Sequence, residues 1–215
     1  MNRPKRDYRA ITAQASEAAE RDWRGGDPWQ LDQWPLDRES YDRQIELLGD
    51  RRYGRALELG CAAGAFTCRL SLLADHVLAV DIAPTAVERA QADPPEAGGS
   101  VEFRAANVME LDPVAEGPWD LIVMSETIYC LAWLYSTFEL AYLARTLFES
   151  THPGGRFLMA NTYGKEKDHL LSPWLIDTYR DLIRNVGYEL ECEETLRSEK
   201  GTVEFDVLIS LFTRP

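Results

Sequence analysis

The sequence predicts an α/β protein: a mostly parallel, doubly wound sheet with helices on both faces. Three observations carry this. Arg55 to Thr67, RALELGCAAGAFT, reads as an apolar strand, a turn punctuated by Gly60 and Gly64, and the start of a helix. A second apolar run, Val77 to Val80, ends in Asp81, roughly twenty residues past that turn, where this fold class brings a carboxylate to a ribose. Strand-like and helix-like segments then alternate along the chain, the mark of βαβ units and a parallel sheet.

At 215 residues one domain is expected over 1–215, with 1–50 a helical cap or lid on a core spanning 51–215. Residues 11–23 are rich in Ala and Glu and favour a helix, which Gly25-Gly26-Asp27-Pro28 breaks. Trp29, Leu31, Trp34 and Leu36 follow among polar residues and prolines. The tryptophans either cover the core helices or supply a flat apolar lid that shields a reaction from water. Asp37 to Leu48 has apolar residues at Tyr41, Ile45 and Leu48, the spacing of one helix face, and Gly49-Asp50 ends it.

The central strand and turn come next, then a helix over Ala65 to Ala74 and the strand Val77 to Asp81. Asp81 is a ribose ligand or the N-cap of the helix that Pro84 opens. Val101 to Ala105 reads as a third strand and Trp119 to Met124 as a fourth, its exit carrying Ser125-Glu126-Thr127-Ile128-Tyr129-Cys130-Leu131. Strand ends of an open parallel sheet face the ligand crevice, so Glu126 and Tyr129 are expected there. Trp133 to Phe148 reads as one long helix, and Arg156 to Ala160 as strand five after a His152-Pro153-Gly154-Gly155 turn. Asn161 to Leu171 is a polar loop bordering the same crevice. A helix runs from Ser172-Pro173 to Val186, with Ser at the N-cap and Pro in the first turn. Tyr188 to Thr195 and Val203 to Phe212 alternate apolar and polar residues and read as a closing hairpin.

The composition narrows the function. Hydrophobic residues are 45% and charged residues 27%, ordinary for a soluble globular chain. A net charge of −13 argues against a nucleic-acid partner, which needs a basic surface to neutralise phosphate. No apolar run reaches the length of a membrane span, and the basic N-terminus has no apolar signal-peptide segment, so a cytoplasmic protein is expected. The four cysteines form no C-x-x-C pair, and reduced thiols without a metal site are expected. A small molecule is the expected partner, and a homodimer is left open.

A dinucleotide fingerprint would place its three small residues at Gly60, Ala62 and Ala65, with a methyl where the backbone must meet a pyrophosphate. Glu58 adds negative charge beside the turn, which repels phosphate and suits a cation. An NAD-dependent reductase is therefore disfavoured. The pattern Glu58-x-Gly60-x-Ala62-x-Gly64 instead resembles motif I of the class I S-adenosylmethionine (SAM) methyltransferases, written E/D-x-G-x-G-x-G, with Ala62 as the departure. The His152 to Gly155 turn is similar to the one before strand five in that family. The element order matches too. The resemblance implies a Rossmann-like fold whose seven-stranded sheet has its last strand antiparallel.

Asp27-Pro28-Trp29, the stretch Glu58 to Thr67 and the stretch Ser125 to Leu131 together resemble the rhizobial nodulation-factor N-methyltransferases. These methylate an amine of a chitooligosaccharide backbone. The resemblance is dense over residues 27–160 and weak beyond. It implies SAM as cofactor, with contacts from Glu58, Gly60, Cys61, Ala62, Gly64 and Phe66 around the turn. Asp81 and Ile82 would lie at the ribose, and Asn107 and Val108 at the adenine, unless Asn107 is an ordinary turn residue. Trp29, Arg38 and Ser125 complete the implied cofactor set.

Methyl transfer from a sulfonium needs collinear alignment, and a base only if the nucleophile arrives protonated. Glu126 is placed to bind an ammonium and take its proton. Contact with the cofactor's amino group and helix capping are the alternatives. His169 is the second candidate catalytic group, more relevant to a hydroxyl nucleophile. Trp34, Tyr129, Trp133, Asn161 and Tyr163 join Glu126 and His169 as expected acceptor contacts. N-methylation is favoured, O-methylation is the alternative, and a non-catalytic SAM-binding protein is a third reading.

Overall fold

A computed structural model describes residues 9–28, 35–164, 172–200 and 203–215. Two helices come first, α1 (Arg9–Trp23) and α2 (Pro35–Leu48). Then follow β1 (Tyr53–Leu59), α3 (Ala65–Leu70), β2 (Ala74–Asp81), α4 (Pro84–Ala92), β3 (Ser100–Ala105), α5 (Pro113–Glu116) and β4 (Trp119–Ser125). The chain continues through α6 (Ile128–Ala132), α7 (Thr137–Ser150), β5 (Thr151–Gly164), α8 (Pro173–Asn185), β6 (Glu189–Lys200) and β7 (Val203–Thr213).

The seven strands form one sheet in the order β3-β2-β1-β4-β5-β7-β6. Strands β1 to β5 pair in parallel, and β7 inserts antiparallel to both β5 and β6. From β1 the chain winds outward to β3, then returns to β4 on the other side of β1. That reversal opens a crevice at the carboxyl ends of β1 and β4, the place where such sheets bind ligands.

Side-chain alternation along the strands sorts the core into two layers. Leu57, Leu59, Ile122, Met124, Phe157 and Met159 face α6, α7 and α8 through Ile128, Leu140, Leu147 and Ile176. Ala56, Leu121, Val123, Leu158 and Ala160 face α2, α3 and α4 through Tyr41, Leu48, Phe66 and Val87. The central strands are apolar on both faces because helices cover both. Helix α1 bridges two places: Ile11 packs on the layer of α6 to α8, and Trp23 is buried against Ala83 and Ala86 at the start of α4.

Three expectations need correction, and one short helix has no counterpart among them. The helix expected over Trp133 to Phe148 begins only at Thr137, as α7, because Ser136 and Glu139 form a capping box there; Trp133 to Tyr135 are the turn after a separate short helix, α6. Apolar residues run through the break, so periodicity alone conceals it. The helix expected to reach Ala74 ends at Leu70, and β2 already starts at Ala74, which pairs with Tyr53. Strand β5 spans Thr151–Gly164, taking in both the His152 to Gly155 turn and Asn161 to Gly164, which read as loop. These last residues are extended because β7 pairs with them from Leu208 to Phe205. The short helix α5 escaped the sequence reading: the Asp112 carboxylate accepts from the Ala115 N–H and caps it.

Candidate functional site

Each wall of the crevice is the exit of a strand. At the end of β1, Gly60 has φ 86° and Gly64 φ 87°, left-handed conformations that glycine adopts freely. A Cβ at Gly60 would lie 2.1 Å from the Thr127 hydroxyl, so only hydrogen fits there. That hydroxyl, from the β4 exit, donates to the carbonyl of Leu59 at 2.9 Å and locks the two strand exits together. Ala62 also sits at positive φ, 49°, and carries its methyl at about 1–2 kcal/mol of local cost.

Asp81, ending β2, braces this turn. Its carboxylate accepts from the Ala62 N–H at 2.8 Å and from the Ala83 N–H at 2.9 Å. Burial pushes its carboxyl above the ordinary range, and those N–H groups oppose the shift. Glu58 is 3% exposed, and its Oε2 has no hydrogen-bond partner. Burial, reinforced by the charge of Asp81 and opposed by the Thr67 hydroxyl, pushes it up to about 7. Among the described residues no ion pair reaches either carboxylate. Two acids at the switch point, one with an unpartnered oxygen, make a site that favours a positively charged ligand. Buried Cys61, its thiol pushed well up by burial and by Glu58, stays neutral in the same turn. Phe66, on α3, packs against Tyr41 of α2, ring centroids 5.3 Å apart.

Asn107, after β3, is buried with its amide engaged by protein. Its Nδ2 donates to the Thr12 hydroxyl at 2.8 Å and to the Tyr135 hydroxyl at 2.6 Å, and its Oδ1 accepts from the Met109 N–H at 2.9 Å. It thereby ties α1 and the α6–α7 turn to the exit of β3. Val108 beside it is buried. The Ser16 hydroxyl, also on α1, donates to the Ile82 carbonyl at 3.4 Å.

The exit of β4 is built differently. Ser125 keeps a buried hydroxyl without a partner. Glu126 takes positive φ, 53°, its backbone N–H still donating to Ala160 on β5 at 2.8 Å. Its carboxylate accepts from the Thr162 N–H at 3.0 Å, the Thr162 hydroxyl at 3.0 Å and the Tyr129 hydroxyl at 3.1 Å. Burial and the Glu126 charge push the Tyr129 phenol well up, so it remains a donor. The Tyr129 ring lies 6.4 Å from that of Trp133, which is 58% exposed. These rings offer an aromatic surface beside the carboxylate.

The expected residues therefore divide. Glu58, Gly60, Cys61, Ala62, Gly64, Phe66, Asp81, Ile82, Asn107 and Val108 lie at the carboxyl ends of β1, β2 and β3 and in the residues that follow them, while Ser125, Glu126, Tyr129 and Trp133 run from the end of β4 through α6. Asn161 is fully buried on β5 with both polar ends unpartnered, and Tyr163 packs on the layer of α6 to α8. Arg38 is exposed on α2. Trp29, Trp34 and His169 fall outside the described residues. Thr127 and Thr162 were missed: each is an unremarkable residue at a strand end, and only the pairing of β4 with β5 and the closeness of Gly60 give them a role. Among the described residues no cluster of three or more His, Cys, Asp or Glu is arranged to hold a metal.

The Nodulation protein S (NodS) family model matches residues 12–214. The chain is 27% identical to the Nodulation protein S of Rhizobium tropici over 191 residues, 88% of this chain and 76% of that one. It is 25% identical to a Xanthomonas euvesicatoria ubiquinone biosynthesis O-methyltransferase, covering 73% of this chain and 70% of the relative. In fold it is similar to the N-methyltransferase NodS of Bradyrhizobium japonicum, solved with S-adenosyl-L-homocysteine. The TM-score is 0.77 at 23% identity, over 94% of this chain and 98% of that one.

Proposed function

The chain belongs to the NodS family and is a SAM-dependent methyltransferase, and on that premise we propose that it methylates an amine, of an amino sugar or of an amine-bearing natural product. The observation that carries the amine is the Glu126 carboxylate, held at the exit of β4 in the crevice beside the Tyr129–Trp133 rings. A fixed anion next to flat apolar surface suits an ammonium on a sugar ring.

The buried acids suit the cofactor. Glu58, with its unpartnered oxygen, would receive the amino-acid cation, and Asp81 the ribose hydroxyls. With the Asn107 side chain engaged inside the protein, Val108 is left to meet the adenine through its backbone. When bound, SAM supplies an activated methyl group and a neutral thioether leaving group. What remains for the chain is alignment and one proton. The Gly60 turn lets backbone approach the cofactor closely. Tyr129 and Trp133 orient the acceptor, and Glu126 pairs with its ammonium and takes the proton that frees the nitrogen lone pair.

The similarity to ubiquinone O-methyltransferases favours hydroxyl acceptors as a second reading. Release of S-adenosylhomocysteine, followed with amino sugars and with phenolic or hydroxylated acceptors in parallel, separates the two. Product from amines, lost in Glu126→Gln, supports the proposal. Product from hydroxyl acceptors alone overturns it. Cofactor binding without turnover on either panel places the acceptor outside both classes and overturns the proposal. Asp81→Ala is expected to weaken SAM binding at least tenfold by calorimetry, about 1.4 kcal/mol; unchanged affinity would remove the ribose assignment.

A further inference from the structure

Glu126 is anchored more firmly than a mobile loop carboxylate. Strand β4 makes its last pair with β5 at Ser125 and Ala160. Glu126 then turns into a backbone conformation that L residues rarely adopt, yet its N–H still reaches the Ala160 carbonyl at 2.8 Å. Beyond that point β5 runs on alone on this side, and the Thr162 N–H would have no strand to bond. The Glu126 side chain turns back and fills the gap with Oε2 at 3.0 Å.

Completing the ladder needs only one carboxylate oxygen. The other, Oε1, is taken by the hydroxyl of the same Thr162, also at 3.0 Å. One residue therefore grips both oxygens from a strand paired on its far side with β7, Thr162 opposite Val207. The Tyr129 hydroxyl adds a third donor, 3.1 Å from Oε2, from the start of α6. A glutamate has several side-chain torsions to fix, and donors on a rigid strand fix them more closely than donors on a loop.

We propose that Thr162 is a positioning residue for methyl transfer: its paired N–H and hydroxyl set the plane of the Glu126 carboxylate and so the face it turns to the acceptor nitrogen. This rests on the reading of Glu126 as the acceptor's partner. Thr162 touches neither acceptor nor cofactor in this role and acts through Glu126. In the transfer, the acceptor ammonium gives a proton to Glu126, the freed lone pair forms the nitrogen–carbon bond, and the carbon–sulfur pair leaves with the thioether.

Thr162→Val keeps the shape and the N–H and removes the hydroxyl; Thr162→Ser keeps both donors. The Glu126 carboxyl carbon is followed by NMR against pH in the full chain, with Glu126→Gln to assign it. Turnover with glucosamine oligomers is followed alongside. A lost donor weakens the preference for the ionised carboxylate, so in Thr162→Val the titration midpoint should rise by about half a unit or more. In the same variant kcat/KM should fall about tenfold through kcat, with S-adenosylhomocysteine affinity held within twofold. Thr162→Ser should restore both readouts. An unmoved midpoint, or loss of turnover that Ser does not restore, overturns the role of Thr162. Full activity in Thr162→Val beside an inactive Glu126→Gln overturns it too and leaves the Glu126 reading standing. Full activity in Glu126→Gln removes that reading itself.

Discussion

The two ends of the sheet treat buried charge in opposite ways. At the amino end of β5, Arg156 is 2% exposed and fully partnered. Its guanidinium reaches both carboxylate oxygens of Asp50, both of Glu191 and the Tyr53 hydroxyl. Those contacts join the segment before β1 to β5 and β6. The bonds from Arg156 hold Asp50 below the usual carboxylate range. At the carboxyl end, Glu58 is as deeply buried, yet one of its oxygens has no partner and its carboxyl is pushed up to about 7. A buried ion with every bond made is part of the architecture. A buried acid with an open oxygen carries a cost that a cationic ligand removes.

This contrast can be broken at either end. Arg156→Met should destabilise the fold by about 3 kcal/mol, the lower part of the range for breaking a buried pair, because Asp50 and Glu191 keep some contact with water. Urea unfolding reads the loss, and S-adenosylhomocysteine affinity of the folded variant should not move. A loss under about 1 kcal/mol, no more than an exposed pair is worth, would demote the cluster to surface decoration.

An effect of similar size is expected from pH at the other end. Between the unfolded carboxylate's 4.5 and about 7, the folded ligand-free chain holds a proton on Glu58 that the unfolded chain has released. Stability should therefore fall as pH rises through that window, by about 3 kcal/mol in total. Cofactor affinity should rise over the same window as Glu58 ionises. Thermal melts of the wild type against Glu58→Gln check both the slope and its source. Parallel curves for the two proteins would show that Glu58 is not the titrating group.

Smaller changes at the turn sharpen the comparison. Gly60→Ala drives a Cβ to within 2.1 Å of the Thr127 oxygen at φ 86°. It should cost about 2 kcal/mol and weaken cofactor binding, because the strand exits must part. Ala62→Gly relieves a left-handed alanine and should stabilise the chain by up to about 1 kcal/mol with little change in affinity. If Ala62→Gly instead impairs binding, the methyl itself touches the cofactor.

Much of the architecture was legible in the chain. The parallel β1, β2 and β4 were visible through short apolar runs bounded by turn residues, because central strands are covered on both faces, whereas the edge strand β3 showed as alternation of polar and apolar residues. Asp81 was legible from its spacing past the glycine turn, and Glu58 from its place before it. The α6–α7 break was not, since Trp133 to Tyr135 continue an apolar pattern while the capping box at Ser136 depends on one local bond pair. The extension of β5 past Ala160 was hidden for another reason. Polar residues there read as loop, and only pairing with β7, distant in sequence, makes them strand.

What the sequence by itself determined is the order of the strands and of the longer helices, the glycine turn and the acids at the ends of β1 and β2. These rest on local chemistry: apolar periodicity, conformational freedom at Gly60 and Gly64, and carboxylates a fixed distance along the chain. The tertiary structure alone decided which of those groups are satisfied. It left Glu58 with an open oxygen, committed the Asn107 amide to Thr12 and Tyr135, and gave Glu126 to Thr162. A hydrogen bond between residues far apart in the chain depends on how strands are ordered and paired in space, which no local pattern records.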